Sequence, residues 1–202
     1  MTLADGTTLA ERLSAGLARP LLTDDILRGD HAGLMATDAT ALSAAAVLVA
    51  ITDRGAPGVI LTQRPNTMRR HAGQIAFPGG RIDPDDDGPV GAALREAEEE
   101  IALPRNQVIV LGTADRYRTG TGFEVTPVIG IVPPDLALLA NVDEVADLFE
   151  VPLDFLLDAK NHRKVQAEWQ GKMRHYYEIR WQERRIWGAT AAMIINLSRR
   201  LR

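Results

Sequence analysis

The sequence predicts one mixed α/β (α+β) domain in which a mixed β-sheet lies between helices. Three observations carry that reading. Apolar runs of strand length fall on both sides of a single helix-periodic segment near residues 90–102. Clusters of Gly, Pro and Asp separate these runs. The 202 residues, 46% hydrophobic and 25% charged, suit one core, with no internal repeat and no low-complexity linker. The domain is expected to span residues 1–202, with a core of about 44–158. An N-terminal helix and a C-terminal hairpin plus helix are read as additions.

The elements follow in order. Leu9, Leu13 and Leu17 give residues 7–18 helical spacing. Residues 19–43 are mixed and receive no assignment. AAAVLVAIT (44–52) reads as a buried strand, and DRGAPG turns the chain into a neighbouring strand, VILTQR (59–64). GQIAF (73–77) is a short strand stopped by Pro78-Gly79-Gly80, and RIDPDDDGP (81–89) is a loop. A helix is expected over 90–102, ended by Pro104 and Asn106. Residues 107–117 and 123–133 read as paired strands. One or two short helical pieces are expected over 143–158, around Pro152. HRKVQAEWQ and MRHYYEIRW suggest a final hairpin, and RIWGATAAMIINLSRRL a closing amphipathic helix. Trp169, Trp181, Trp187 and the pair Tyr176-Tyr177 are read as core or dimer-interface residues rather than an adenine stack.

Composition removes several function classes. With no cysteine, disulfides, thiolate catalysis and Cys-based zinc sites are excluded. A net charge of -4 argues against a general nucleic-acid binder. The first residues lack a basic region followed by an apolar one, so no signal peptide is expected. The longest apolar stretches, of about ten residues, are half the length that spans a bilayer. A soluble cytoplasmic protein without a membrane partner is expected.

The segment VGAALREAEEEIAL carries the chemistry. At about 100° per residue, Val90, Ala93, Leu94, Ala97 and Ile101 share one arc. Glu96, Glu99 and Glu100 share a neighbouring arc, while Glu98 points elsewhere. Like charges three and four residues apart repel by a few tenths of a kcal/mol per pair. A cation held between them would offset that cost, and an all-oxygen set suits Mg²⁺ or Mn²⁺. Taken alone, the segment reads more readily as a solvated acidic face than as a metal site, since Glu-rich helices are common.

The flanking residues decide between these readings. Gly79-Gly80, a variable loop and Arg95-Glu96-Ala97-Glu98-Glu99-Glu100 resemble the signature of the Nudix hydrolases. Arg95, Glu96, Ala97, Glu99, Glu100 and Leu103 match in register. Counting back from Arg95 puts Asp87 in the place of the signature's first Glu, which leaves the loop after Gly80 one residue longer than usual. Ala102 stands where the signature closes with Gly. Upstream, Leu61, Thr62, Arg64, Arg69 or Arg70, His71, Gly73, Ile75, Phe77, Pro78, Gly79 and Gly80 resemble the additional motif of the coenzyme A pyrophosphatases, a Nudix subfamily. Similar segments recur at 126–135, 143–158 and 187–197.

That resemblance implies the Nudix fold and a metal-dependent pyrophosphohydrolase. Glu96, Glu99 and Glu100 would be metal ligands, with the Gly80 carbonyl completing a shell and one of the acids polarising the attacking water. Arg95 would orient a carboxylate. Arg64, Arg69, Arg70 and His71 form a basic cluster suited to substrate phosphates, since Arg clamps phosphate bidentately. Glu144, and after it Glu150, are candidates for a catalytic base from a distant loop. The implied substrate is a dinucleotide pyrophosphate, coenzyme A or a derivative, split into 3′,5′-ADP and 4′-phosphopantetheine. The alternatives are ADP-ribose, NADH or a nucleoside triphosphate as substrate, or a Nudix-fold binding module without catalysis. The resemblance also implies a homodimer.

Overall fold

Strand β1 (Ser43–Thr52) occupies the middle of the sheet, and its composition explains why. Its residues are apolar on both sides: Ala46, Leu48 and Ala50 face one core cluster, while Ala45, Val49 and Ile51 face another. A strand buried on both faces loses the apolar-polar alternation of a half-exposed one. The computed structural model describes residues 7–19, 26–29, 42–68, 71–169 and 172–202.

Helix α1 (Leu9–Ala18) begins at a capping box in which Thr8 and Glu11 exchange hydrogen bonds. Strand β2 (Gly58–Gln63) runs antiparallel to β1, followed by the short strands β3 (Ile75–Ala76) and β4 (Gly79–Arg81). The residues expected to stop a strand thus form one themselves. Gly79 and Gly80 pair with Val47 and Ala46 of β1. Helix α2 (Gly88–Ile101) starts two residues before the expected position, with Pro89 in its first turn, where a missing N–H costs nothing.

Strands β5 (Ile109–Thr113), β6 (Tyr117–Arg118) and β7 (Phe123–Val132) follow. Strand β7 pairs parallel with β1 from Ser43–Phe123 to Thr52–Val132. Strand β8 (Asp147–Pro152) takes the part before Pro152 expected to be helical, and one short helical piece follows it. The strand pairs with β2 from Gly58–Pro152 to Gln63–Asp147, and only α3 (Leu153–Leu157) is helical. A β3-β2-β1-β7-β5 path results, with β4 on β1, β6 on β7 and β8 on β2.

Strands β9 (Arg163–Trp169), β10 (Lys172–Trp181) and β11 (Arg184–Trp187) form a second, antiparallel sheet. The expected closing helix is shorter than its sequence suggests, because Arg184–Trp187 extends the hairpin by a third strand. Helix α4 (Ala189–Arg200) begins after Gly188 and is buried over Thr190–Ser198 rather than amphipathic. Its polar residues are satisfied internally: Thr190 donates to the Ile75 carbonyl, Ser198 to the Leu157 carbonyl, and Asn196 bridges both backbone groups of Leu27.

Helix α2 packs Ala92, Ala93, Ala97 and Ile101 on one face of the sheet. Leu9 and Leu13 of α1, Ile179, Ile186 and α4 pack on the other, in one cluster with β1 and β2. The terminal elements therefore share the core of the middle segment. Among the described residues, no helix is long and apolar enough to cross a membrane.

Candidate active site

The site forms where β4 brings Gly79-Gly80 against the flank of α2. A Cβ on Gly80 would collide with the Glu96 carboxylate, and one on Gly79 with the Ala46 carbonyl. Gly79 also holds φ at 156°, a region that disfavours side chains. These two glycines let the acidic helix lie directly on the strand.

Arg95 is the organiser of the exposed half. Its Nε and Nη2 donate to the two carboxylate oxygens of Asp86 at 2.9 and 3.0 Å. Nη2 also reaches the Arg81 carbonyl at 3.0 Å, and Nη1 donates to Glu96 and Glu99 at 3.0 and 3.1 Å. The Arg95 hydrogen bonds, then the Asp83 backbone N–H, hold Asp86 below the usual carboxylate range. The acid opposite Arg95 is thus Asp86, not Asp87. Asp87 precedes α2 as its N-cap residue and makes no side-chain cap bond. Five residues separate Gly80 from Asp86, so the loop keeps the signature's usual length and the extra residue falls between Asp86 and the helix. Counting forward from Gly80, rather than back from Arg95, finds the right acid.

Glu100 forms the buried half. It is 4% exposed, and its Oε2 has no hydrogen-bond partner. Burial, then the neighbouring Glu96 and Glu144, push its carboxyl up to about 8, against the pull of Arg64 and the Gly79 N–H. Glu96 is raised as well, chiefly by burial, with Arg95 opposing and Glu99 and Glu144 adding to the rise. Glu99 is exposed.

Glu144 comes to this cluster from the 138–146 loop. That loop satisfies the end of α2: the Leu139 and Asn141 N–H groups donate to the Ile101 and Glu100 carbonyls at 3.1 and 2.8 Å. Glu144 itself lies in a turn, its N–H bonded to the Asn141 carbonyl. Ala102 ends α2 in the left-handed conformation, φ 53°, in the place of the signature's Gly.

Arg64 directly follows β2, and its positive charge opposes the rise at Glu100. Its Nε is buried without a partner. His71 is exposed at φ 58°, its Nδ1 2.8 Å from Gln74 Oε1. Arg69 and Arg70 lie outside the described residues. Glu150 is not part of the cluster. It pairs with Arg54 and accepts from Thr52 Oγ1 at 2.6 Å, at the far end of β1 from the glycines.

An orphaned buried oxygen beside two further carboxylates is short of positive charge, and this oxygen-only set fits a hard divalent cation. Among the described residues, no three acids converge on one point as a complete metal shell. Arg95 draws Glu96 and Glu99 to its own side, while Glu100 lies on the buried side.

A family model described as the NUDIX domain matches residues 42–172. A Nudix hydrolase named NudL in Cronobacter sakazakii, itself uncharacterized, is 44% identical over 154 residues, 76% of this chain and 80% of the relative. Its namesake in Yersinia pestis is 42% identical over 158 residues, 78% of this chain and 79% of the relative. A solved Nudix hydrolase from M. smegmatis, RenU, aligns at 28% identity with a TM-score of 0.45, covering 62% of this chain and 73% of that one. Matched in this way over most of its length, the chain belongs to the Nudix family of hydrolases.

Proposed function

We propose that this Nudix pyrophosphohydrolase cuts the pyrophosphate bond of coenzyme A or an acylated derivative, with Mg²⁺ or Mn²⁺ as cofactor. The products are 3′,5′-ADP and 4′-phosphopantetheine or its acyl form. The observation that carries the reading is the buried Glu100, whose Oε2 has no partner, on the helix whose Glu96 carboxylate lies against Gly80. It leaves an anionic cluster short of positive charge, which a divalent cation would supply, and the upstream Arg64 offers a guanidinium suited to phosphate.

Glu96, Glu99 and Glu100 would hold the cation, together with the Gly80 carbonyl. When bound, the cation shields phosphate charge and lowers the pKa of water. Arg95, anchored by Asp86, fixes the orientation of Glu96 and Glu99. Glu144 accepts the proton of the attacking water. Arg64, His71 and the neighbouring Arg69 and Arg70 bind the substrate's phosphates and align the bond to be cut. One water adds across one P–O–P linkage, giving two phosphate monoesters without a covalent intermediate.

The test is product analysis on coenzyme A, acyl derivatives and ADP-ribose, with Mg²⁺ or Mn²⁺. Release of 3′,5′-ADP is expected. Cleavage of ADP-ribose with none of any coenzyme A compound overturns the substrate.

A further inference from the structure

The outward face of the β9-β10-β11 sheet carries a charge pattern that the proposed hydrolysis leaves unused. Ile179 and Ile186 of this sheet point into the core. The opposite face presents Arg163, Arg180 and Arg185, whose side chains are 60%, 60% and 43% exposed. Beneath them lies Glu178, its side chain only 3% exposed. Arg180 and Arg185 face each other directly across the strands. Like charges in that position are locally destabilising. Glu178 offsets the repulsion: Oε1 takes Arg180 Nε at 3.0 Å and Arg163 Nη1 at 3.3 Å, and Oε2 takes Arg185 Nε at 2.7 Å. Three positive charges against one negative leave the cluster cationic.

Each guanidinium uses one edge on Glu178. The terminal nitrogens of Arg180 and the remaining edge of Arg163 have no protein partner among the described residues. Beside them stands an aromatic pair. Trp187, 37% exposed, meets Tyr176 edge to face at 5.8 Å, and the Arg185 guanidinium lies 5.3 and 5.6 Å from the two rings. The Tyr176 hydroxyl accepts from Arg185 Nη2 at 2.7 Å. Of the two readings of this pair from the sequence, core or dimer interface, the first does not describe Trp187, which is exposed beside the half-buried Tyr176.

We infer that this face is a second binding site, independent of divalent metal, for a free nucleotide. Its phosphate sits on the open edges of Arg163 and Arg180, and its base lies against Trp187. Guanidinium groups fixed by a buried carboxylate lose little freedom on binding phosphate, and an adjacent indole offers a stacking surface. The arginines and Trp187 occupy two adjacent cross-strand rows, Arg163-Glu178-Trp187 and Arg180-Arg185, an extent of about 10 Å that matches one nucleotide rather than a length of nucleic acid. An acidic peptide would use the charges but not the ring.

The test is calorimetric titration of the whole protein in EDTA with 3′,5′-ADP and, separately, inorganic phosphate. Saturable binding of 3′,5′-ADP is expected, weaker for phosphate alone and weakened by salt. Arg163→Gln/Arg180→Gln should lower affinity about tenfold or more. Trp187→Leu should weaken 3′,5′-ADP but not phosphate. Thermal melts check that each variant is folded. Absence of saturable binding, equal binding by the double Arg variant, or tighter binding of poly-glutamate or single-stranded RNA than of the nucleotide overturns the inference. Because no metal or turnover is involved, its failure leaves the pyrophosphatase reading standing.

Discussion

Glu100→Gln separates catalysis from folding at one atom pair. Glu100 is 4% exposed, with Oε2 unpartnered, so the metal-free fold holds a carboxylate that burial has pushed up to about 8. At pH 7 such a carboxyl is held mostly protonated, which costs the fold about 3 kcal/mol relative to an unfolded chain in which it ionises near 4.5. The neutral amide removes that cost but leaves an N–H group needing a partner, at about 1–3 kcal/mol. The difference leaves a net gain of about 1–2 kcal/mol for the metal-free variant at pH 7. In a chain of this size each kcal/mol moves Tm by about 2–4 °C, so melting in EDTA should rise by about 2–8 °C. Turnover with Mg²⁺ or Mn²⁺ should fall about 100-fold or more. Added metal should raise the Tm of the wild type and leave the variant nearly unmoved. A variant that melts below the wild type in EDTA, or turns over within tenfold of it, refutes the reasoning.

Three further expectations follow from named contacts. Asp86→Asn frees Arg95 from its two-point anchor and should lower kcat/KM about 10–100-fold, whereas Asp87→Asn should leave it unchanged; equal effects in steady-state kinetics would reject the assignment. Ala102→Gly relieves a left-handed residue at a cost of about 1–2 kcal/mol, partly cancelled by the looser unfolded chain, so urea unfolding should show a gain of about 0.5–1 kcal/mol. Burial pushes Glu178 up, but Arg185 and Arg180 outweigh it and hold it below the usual carboxylate range. Its contribution is therefore present above the unfolded value near 4.5 and lost as pH falls through the lower folded value. Glu178→Gln should flatten that part of the stability-pH curve, and an unchanged acid limb would contradict it.

The legible parts of the fold were those where one pattern admits one structure. Residues 44–52 are apolar without interruption because both faces of β1 are covered, and no amphipathic helix has that pattern. Residues 147–152 were misread because Leu148, Phe149 and Val151 fit either period, and only pairing with β2 decides. Helix α4 looked amphipathic because Thr190, Asn196 and Ser198 are polar, yet each spends its hydrogen bonds inside the core. In the site, the helical acids were readable from spacing. The burial of Glu100 was not, since it follows from the 138–146 loop closing over the end of α2. Asp86 was hidden among Asp83, Asp85 and Asp87, where counting from either end of the signature gives a different acid.

The long parallel pairing of β1 with β7 also sets when the acidic helix acquires its surroundings. Ser43 pairs with Phe123, so α2 lies wholly inside the segment that this pairing closes. Contacts so distant in sequence form late, after the entropy of closure has been overcome, and parallel pairing is slow for that reason. A nascent chain that has not yet emitted β7 cannot assemble the sheet behind Glu100. Metal then meets a finished site rather than a folding nucleus. Its effect on kinetics should fall on the unfolding rate and leave the folding rate almost untouched.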